Sequence, residues 1–252
     1  MTKIAICGAL GRMGTTIANL VNEADDLMFV GGVDVNAGTL LGAPVVPSSE
    51  IRTFLQEEKP DVLIDFTIAH AAVENIIAAS EAGVALVVGT TGFSPEQRSK
   101  IDAAINGSVP AVISSNYSVG MNIFWRLVRE AASRLGDYDI EVIEAHHRYK
   151  KDAPSGTART ILEIIGEETG KTECMYGREG MTERKDEVGV HVVRGGDIVG
   201  DHTVLFAANN ETIELSHRAY DRAVFAHGVI RAARYVPGKA PGIYSMDEVL
   251  DL

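Results

Sequence analysis

The sequence is poor in cysteine and in basic residues. Its 252 residues include only Cys7 and Cys174, which lie far apart, so a disulfide framework and a CxxC metal site are both excluded. The 23 Lys and Arg residues are outnumbered by 35 Asp and Glu residues, which gives a formal net charge of −12. Such a charge argues against binding of nucleic acid or of anionic membranes, because phosphate groups require a basic surface. An anionic ligand must therefore meet a local cluster of cations.

Long apolar runs are also missing. No stretch approaches the roughly 18 to 20 apolar residues that cross a bilayer, and the glycine-interrupted segment Met1–Gly14 lacks the pattern of a signal peptide. With so few cysteines, we expect a cytoplasmic protein with reduced thiols. The composition, 46% hydrophobic and 23% charged, is that of an ordinary globular protein.

The first half of the chain alternates short apolar runs with helical patterns. This order predicts an α/β fold with a Rossmann-like, doubly wound parallel sheet, whose strands are apolar throughout because helices cover both faces. The predicted strands are Lys3–Cys7, Met28–Val33, Asp61–Phe66, Ala85–Gly89 and Ala111–Ser114. The predicted helices between them are Met13–Val21, His70–Ala82 and Pro95–Ile105.

After about residue 118 the pattern becomes that of an inserted α+β domain with a mostly antiparallel or mixed sheet. We predict that this domain spans residues 118–217 and that residues 218–252 return to the first domain, residues 1–117. Between Val188 and Leu215, β-rich segments are separated by Gly195-Gly196 and Asn209-Asn210, as hairpins would be. The other predicted elements are the strand Asp139–Ala145 and the helices Asn122–Arg134, Pro154–Thr169 and Ala219–Tyr235.

A glycine-rich loop, Gly8-Ala9-Leu10-Gly11-Arg12-Met13-Gly14, follows the first predicted strand and opens the first helix. The free N–H groups and positive dipole end of such a helix favour a pyrophosphate. Asp34 ends the second predicted strand, 20 residues after Gly14, at the spacing where a carboxylate binds an adenosine ribose. This order favours a dinucleotide site over a turn that only packs.

The residue after Asp34 bears on which cofactor is used. Val35 stands there, and a 2′-phosphate is repelled by a carboxylate that has no guanidinium beside it. We therefore expect NADH to be favoured over NADPH, although Arg12 could still reach such a phosphate.

Two more polar segments follow predicted strands. Gly89-Thr90-Thr91-Gly92 and Ser115-Asn116-Tyr117-Ser118 lie where strands end, and open α/β sheets bind ligands at that edge. Their hydroxyl and amide groups could bind the nicotinamide amide or its ribose. Each segment could equally be a capped turn.

A cationic cluster is the most informative feature of the second half. Residues 146–151 hold three fixed cations and two imidazoles without an acid, and they run into Pro154-Ser155-Gly156-Thr157, a predicted helix start. The N–H groups of this start, with the Ser155 and Thr157 hydroxyls, would hold a carboxylate or a phosphate. A solvated basic turn is the alternative. Zinc binding by the histidine pair lacks the further ligands that CxxC or HExxH spacing would supply.

These features together indicate a nicotinamide cofactor on one domain and a small, reducible anion on the other. Hydride delivery to a conjugated C=C–C=N system creates negative charge, which a proton must quench. A histidine can supply that proton near neutral pH, while a neighbouring lysine supplies a lasting positive charge.

The chain resembles the dihydrodipicolinate reductase family over nearly its whole length. The segment with paired histidines followed by Lys and PSGT is highly specific to that family, whereas the glycine loop is not. The matching segments are Gly8–Gly14, Asp61–Thr67 (DVLIDFT), Gly89–Phe93 (GTTGF), Asn116–Asn122 (NYSVGMN), Glu144–Ala158 (EAHHRYKKDAPSGTA), Gly195–Val204 (GGDIVGDHTV) and Gly242–Leu252 (GIYSMDEVLDL).

The resemblance implies NAD(P)H-dependent reduction of 4-hydroxy-tetrahydrodipicolinate to tetrahydrodipicolinate, with loss of water, on the diaminopimelate route to lysine. It implies that His146 is the general acid and Lys150 the second proton donor. The implied substrate-binding residues are Thr91, His147, Lys150, Ser155, Gly156 and Thr157. The implied cofactor-binding residues are Gly8, Ala9, Leu10, Gly11, Arg12, Met13, Asp34, Gly89, Thr90, Thr91, Ser114, Ser115, Asn116 and Tyr117.

The resemblance also implies a homotetramer formed through the sheet of the second domain. Two positions depart from the family pattern. Several relatives have a basic residue where Val35 stands, and Leu10 occupies a position that is often Gly or Ala.

Two other functions compete with this interpretation. A semialdehyde or amino-acid dehydrogenase shares the two-domain plan, but a thioester-forming enzyme needs a nucleophilic cysteine. Cys7 lies in the first predicted strand, where a core residue is expected, and Cys174 lies in a polar stretch with no evident base beside it. A dinucleotide-sensing regulator would ordinarily carry a basic DNA-binding module, and the sequence shows none.

Overall fold

The computed structural model describes all 252 residues, which form two compact units. Unit 1 comprises Met1–Ser118 and Ala223–Leu252, and unit 2 comprises Val119–Arg222. None of the helices is both long and apolar enough to span a bilayer.

The strands are β1 (Thr2–Cys7), β2 (Leu27–Asp34), β3 (Gly38–Leu40), β4 (Ala43–Pro47), β5 (Val62–Asp65), β6 (Ala85–Val88), β7 (Pro110–Ile113), β8 (Asp139–His146), β9 (Cys174–Tyr176), β10 (Val188–Arg194), β11 (Gly200–Ala207), β12 (Thr212–Ala219) and β13 (Gly242–Tyr244). The α-helices are α1 (Arg12–Glu23), α2 (Ile51–Glu58), α3 (Ala69–Glu81), α4 (Pro95–Ile105), α5 (Val119–Arg134), α6 (Gly156–Thr169), α7 (Ala223–Tyr235) and α8 (Met246–Leu250). A 3-10 turn, Ser48–Glu50, precedes α2.

Unit 1 contains an eight-stranded sheet in the order β13-β7-β6-β5-β1-β2-β4-β3. All pairs are parallel except the short β3–β4 pair. Its strands β5 and β6 are buried from end to end because helices cover both faces: α1 and α7 lie on one face, and α2, α3 and α4 on the other. The predicted α/β, Rossmann-like class is confirmed.

The strand order of unit 1 reverses direction at β1, with β5 on one side and β2 on the other. In doubly wound sheets, ligands bind at the carboxyl ends of the strands beside such a reversal. The glycine loop follows β1 directly, so the fold places it at this edge.

Unit 2 contains a five-stranded mixed sheet in the order β12-β11-β8-β10-β9. Helices α5 and α6 pack on one face, around a core that includes Phe124, Val142 and Phe206. Alternate residues of β8 are buried against these helices, and Glu144 and His146 continue that inward-facing row to the end of the strand. Two polar side chains therefore occupy positions where the pattern places core residues.

One of the two predicted hairpins is confirmed and the other is wrong. Strands β11 and β12 pair antiparallel across the Asn209-Asn210 turn, with Ala207 opposite Thr212. Strands β10 and β11, joined through Gly195-Gly196, are not neighbours, because β8 lies between them and pairs with both. The glycine pair marks a change of chain direction but does not fix which strand comes next.

Some element bounds also differ from the predicted ones. Strand β12 runs to Ala219, so the predicted domain boundary at 217/218 falls inside a strand of unit 2. Helix α7 begins at Ala223 and not at Ala219. The prediction did not include helix α2, although its buried residues Ile51, Phe54 and Leu55 follow the i, i+3, i+4 spacing of a helix.

Candidate active site

The glycine loop of unit 1 brings backbone groups into close contact. Gly8 has φ +77, and a Cβ there would lie 2.7 Å from the carbonyl oxygen of Phe66. A Cβ on Gly14 would lie 2.1 Å from the carbonyl oxygen of Gly8. Helix α1 starts after Gly11 without a side-chain cap, so no N-cap side chain hydrogen-bonds to the N–H groups of its first turn. This helix start has the form of an anion site.

Asp34 ends β2 and is bonded to the glycine loop. Its Oδ2 accepts a hydrogen bond from the Leu10 backbone N at 2.9 Å, and its Oδ1 accepts one from the Val35 N at 2.7 Å. An adjoining cavity of about 440 Å³ has no Lys or Arg in its lining. The lining residues are Gly8, Leu10, Gly11, Val33, Asp34, Val35, Asn36, Ser48, Phe66, Thr67, Ile68, Ala71 and Asn75.

Thr90, a predicted cofactor residue, turns its side chain inward. Its hydroxyl donates to Oδ1 of the buried Asp65 at 2.6 Å and accepts from the Thr67 backbone N at 2.9 Å. Asn75 donates to the other oxygen of Asp65 at 2.8 Å. Thr90 therefore stabilises the strand ends, and the neighbouring Thr91 is the threonine that lies exposed.

Tyr117 and Asn116 are also directed inward. The Tyr117 ring is 2% exposed, and its hydroxyl lies 2.9 Å from the carbonyl oxygens of Val88 and Val112, to which it donates. Burial raises the pKa of Tyr117 far above its usual value. The Asn116 Oδ1 accepts from the Ser118 N at 2.9 Å. In this segment Ser115 is exposed and Ser114 partly so, whereas the Tyr117 side chain belongs to the core.

In unit 2, His146 and Glu144 form a buried pair at the end of β8. The His146 Nδ1 lies 2.6 Å from Oε2 of Glu144. Glu144 is 0% exposed and His146 is 8% exposed. Because the carboxylate faces Nδ1, the other ring nitrogen, Nε2, is the one available to a ligand. His146 thus has the arrangement expected of a proton donor held by an acid.

Glu144 is held by two further groups. Arg194 at the end of β10 donates to both of its carboxylate oxygens, at 2.7 and 2.8 Å, and the Ser155 backbone N donates to Oε1 at 2.9 Å. Burial by itself would raise the pKa of Glu144, but the hydrogen bonds from His146, Arg194 and Ser155 lower it to about 2. The carboxylate is therefore charged at neutral pH.

A second buried histidine, His202, packs edge-on against His146, with ring centroids 5.1 Å apart. Its Nε2 lies 3.4 Å from the Ser155 hydroxyl, and its buried Nδ1 has no hydrogen-bond partner. Burial, and next the charge of His146, lowers the pKa of His202 to about 3. This imidazole is therefore neutral near pH 7.

The remaining residues of the cationic cluster follow β8. Lys150 Nζ lies 2.9 Å from Asp152 Oδ1, and its side chain is 23% exposed. His147 is partly buried, while Arg148 and Lys151 are exposed. Residues 146–151 contain no acid, but carboxylates on either side of this segment pair with it: Glu144 with His146, and Asp152 with Lys150.

Helix α6 starts beside this cluster with Ser155 as its N-cap. The Ser155 hydroxyl accepts from the Ala158 N at 3.2 Å and is 1% exposed, so its side chain caps the helix internally. Gly156 is exposed and Thr157 partly exposed. The solvent-exposed part of this helix start is therefore the turn that contains these two residues.

Three residues of this cluster were missed as site residues: Glu144, Arg194 and His202. A signal existed for Glu144, since residues two apart on a strand share a face and His146 was already identified. Arg194 and His202 carry no such signal, because their place beside His146 depends on the order of strands in the sheet.

The surroundings of Cys7 and Cys174 bear on the thioester mechanism, and the grouping of His, Cys, Asp and Glu side chains bears on metal binding. Burial raises the pKa of Cys7 well above its usual value, with further contributions from Asp65 and Asp34, and burial also raises the pKa of Cys174. Both thiols are therefore protonated near pH 7, which opposes the thioester mechanism. No group of three or more His, Cys, Asp or Glu side chains could hold a metal ion.

Comparison with known proteins gives the same result at three levels. Family models described as dihydrodipicolinate reductase, N-terminus and C-terminus, match residues 2–117 and 120–250. Relatives from Methanoculleus marisnigri and Methanocorpusculum labreanum, both called 4-hydroxy-tetrahydrodipicolinate reductase, are 69% and 68% identical over the whole of both chains. A dipicolinate-bound dihydrodipicolinate reductase from Paenisporosarcina sp. TG-14 has a TM-score of 0.81 and 25% identity, with 98% of each chain covered.

Proposed function

The chain belongs to the dihydrodipicolinate reductase family, and from this we propose how its residues carry out the family's reaction. The chain is an oxidoreductase of lysine and diaminopimelate biosynthesis that reduces 4-hydroxy-tetrahydrodipicolinate to tetrahydrodipicolinate. One hydride and one proton are added, and one water is lost. The observation that carries the assignment of residues is the His146 imidazole, held at Nδ1 by Glu144 beside Lys150 and the start of α6.

Unit 1 binds the nicotinamide dinucleotide. The uncapped start of α1 and the close approach at Gly8 and Gly14 fit a pyrophosphate, and the Asp34 carboxylate fits a ribose. When bound, the reduced cofactor supplies the hydride. The other residues proposed to line it are Ala9 to Met13, Gly89 to Thr91 and Ser114 to Tyr117. Among these, the side chains of Thr90, Asn116 and Tyr117 support the binding edge from within.

Unit 2 binds the substrate through its two carboxylates. The N–H groups at Gly156 and Thr157 form one anion site, and His147 and Lys150 bind the other carboxylate, with the Lys150 ammonium supplying positive charge. Ser155 acts through its backbone and its cap, because its hydroxyl is already bonded inside. Thr91 of unit 1 is proposed as a further contact to the substrate.

His146 is the general acid. Hydride addition to the conjugated C=C–C=N system leaves an electron pair that must take up a proton. The imidazolium form of His146 gives that proton from Nε2 and keeps the one on Nδ1. Glu144 accepts the Nδ1 hydrogen bond throughout, so the imidazole keeps one orientation. Lys150, on the loop that follows β8, acts as the second proton donor, and its ammonium group stabilises the developing negative charge.

We also propose that NADH is preferred over NADPH. The cavity beside Asp34 has no cation in its lining, and Val35 and Ile68 expose apolar side chains there, at 82% and 71%. A 2′-phosphate would meet the Asp34 carboxylate without a compensating guanidinium. Comparison of kcat/KM for the two cofactors tests this proposal, and a strong preference for NADPH would refute it.

A coupled assay tests the main proposal. The substrate is generated in place by the synthase of the preceding step, and the purified protein is added with NADH or NADPH. We expect absorbance at the nicotinamide band to fall only when both the synthase product and the protein are present. No oxidation of either cofactor under these conditions would overturn the proposed function.

A homotetramer and a cytoplasmic location are proposed as well. The sheet of unit 2 leaves Ile143 39% and Val193 47% exposed on the face opposite α5 and α6, which supports association of copies through that face. Light scattering on the purified protein tests the tetramer, and a mass near that of the 27.0 kDa chain would exclude it.

A further inference from the structure

Glu144 joins three separate parts of unit 2. Its carboxylate accepts hydrogen bonds from His146 on its own strand, from Arg194 at the end of β10, and from the Ser155 N at the start of α6. All of these partners belong to the protein, and Glu144 is 0% exposed. A fully buried carboxylate is costly unless it is paired and hydrogen-bonded, so these four bonds are a condition for keeping it there.

We propose that Glu144 is the positioning residue of the reaction: it fixes the His146 proton donor and the substrate-binding start of α6 in one geometry, and Arg194 keeps it charged. This inference rests on the proposed function and adds to it a role for two residues that touch neither ligand. The bond to Nδ1 directs the proton-donating Nε2 away from the carboxylate. The bond to Ser155 ties the turn at Gly156 and Thr157 to the same carboxylate.

The low pKa of Glu144 supports this role. Since Arg194 donates to both carboxylate oxygens, Glu144 stays an acceptor and does not take the proton that His146 must deliver to substrate. Arg194 itself is held in place by a further bond, from its Nη2 to the Asp152 carbonyl oxygen at 2.6 Å. The guanidinium thus also links the pair to the loop that carries Lys150.

Several charged or titratable groups face this pair from neighbouring elements. Arg194 approaches from β10, and the neutral imidazole of His202 approaches from β11. Lys150 and Asp152 lie on the loop after β8, paired with each other at 2.9 Å. Of these groups, Arg194 is the one that hydrogen-bonds to Glu144, so the effect of Glu144 passes through Arg194 and through its pair partner His146.

A matched control exists on the same strand. Glu141, three residues earlier, also bonds to a histidine, His191, at 2.7 Å and to an arginine, Arg178, at 3.2 Å. Because their positions on the strand are three apart, an odd number, Glu141 lies on the opposite face of the sheet from Glu144. It shares the chemistry of Glu144 but not its contact with His146.

The first experiment compares Glu144→Gln with Glu141→Gln in the reductase assay. We expect Glu144→Gln to lower kcat by about 10-fold or more while the KM for NADH stays within about twofold, because a lost carboxylate misdirects the imidazole. Glu141→Gln should stay close to the wild type. Equal losses in both variants, or a kcat of Glu144→Gln within threefold of the wild type, would overturn the inference.

A double-mutant cycle separates positioning from structural support. If Glu144 acts through His146, adding Glu144→Gln to His146→Gln should lower kcat by less than about twofold further. A purely structural role would give losses that multiply. Size-exclusion chromatography and thermal unfolding of each variant show whether assembly and folding are retained.

A spectroscopic measurement covers the case in which Glu144→Gln does not fold. With ¹⁵N-labelled histidine in the wild-type protein, we expect the His146 Nδ1 to carry a proton and to lie in a strong hydrogen bond. An Nδ1 without a proton would refute the inference directly. If the wild type itself reduces no substrate, the proposed function falls and the hydrogen-bond result still stands or fails on its own.

Discussion

The two units build their binding edges in different ways. In unit 1 the groups that face a ligand are largely backbone N–H groups at glycines, and the polar side chains nearby, those of Thr90, Asn116 and Tyr117, are bonded inward. In unit 2 the reactive groups are side chains, and the central one, His146, is held by other side chains. Unit 1 therefore depends on the shape of its backbone, and unit 2 on a charged network.

This difference has a consequence for mutation. A backbone site is damaged by adding atoms, such as a Cβ at Gly14, whereas a side-chain network is damaged by removing them. Changes in unit 2 should therefore affect turnover, and changes in unit 1 should affect cofactor binding or stability. Of the four predictions that follow, three test that division, and the one on pH tests the charged network of unit 2 itself.

The largest effect is expected from His146→Gln. Loss of the proton donor should lower kcat by roughly 100-fold or more, with little change in the KM for NADH. The matched control is His191→Gln, which removes an imidazole bonded to Glu141 on the same sheet. The division fails if His146→Gln raises the KM for NADH and leaves kcat unchanged.

The next largest effect is a fall in the free energy of unfolding of unit 2 at acidic pH. The unfolded chain protonates His202 below about pH 6.5, but the folded chain, where burial lowers its pKa, does so only near pH 3. The contribution of His202 to the free energy of unfolding is therefore fully present above pH 6.5. It is lost as the pH falls toward 3, by up to about 1.4 kcal/mol per pH unit. Glu144, with its pKa lowered to about 2, adds a further loss between about pH 4.5 and 2.

Trp125 provides the readout, because it is the single tryptophan and packs, partly buried, against the core of unit 2. Urea unfolding followed by its fluorescence at pH 6.5, 5.5 and 4.5 should give a falling free energy of unfolding. In His202→Asn the decline should be shallower. An identical slope in both proteins would show that His202 does not titrate as described.

Asp34→Ala should have an intermediate effect, confined to the cofactor. We expect the KM for NADH to rise about tenfold, with kcat at saturation little changed, since a ribose hydrogen bond to a charged group contributes about 1.5 to 3 kcal/mol. Asp61→Ala is the control, because Asp61 also accepts from a backbone N–H, that of Lys3, but precedes its strand. Equal effects of the two substitutions would remove Asp34 from the cofactor site.

The smallest effect is expected from Tyr117→Phe. Without its hydroxyl, the carbonyl groups of Val88 and Val112 lose a donor, which should cost about 1 to 2 kcal/mol of unfolding free energy. Binding of NADH, measured by calorimetry, should not change, because the ring lies in the core. Weakened binding with unaltered stability would place the hydroxyl at the ligand instead.

The prediction from sequence worked best where a signal is local. Helix α4 was predicted at its observed bounds, Pro95–Ile105, because Ser94-Pro95-Glu96 is a local start signal. In the structure Ser94 and Gln97 form a capping box at that start. The strands of unit 1 were found because strands covered on both faces read as continuous apolar runs. The glycine loop was found because its function depends on the spacing of residues in one segment.

The prediction was weakest where a contact joins distant parts of the chain. Arg194 lies 50 residues from Glu144 in sequence, and only the pairing of β10 with β8 brings them together. Tyr117 was proposed to line the cofactor because it follows a strand, and its neighbours in sequence do not reveal that its ring turns into the core. Local patterns identify candidate residues, but the direction of each side chain is decided by packing.

The strand order of unit 2 also sets the tolerance of one loop to insertions and deletions. Residues 195–199 leave β10, pass over the end of β8 and enter β11, and the Gly195 N donates to the His146 carbonyl oxygen at 2.9 Å on the way. The connection must cover two inter-strand spacings, about 9.5 Å. If it were shortened to a two-residue turn, β8 could no longer pair with both β10 and β11. The connection at 208–211 joins adjacent strands and could be exchanged for another tight turn.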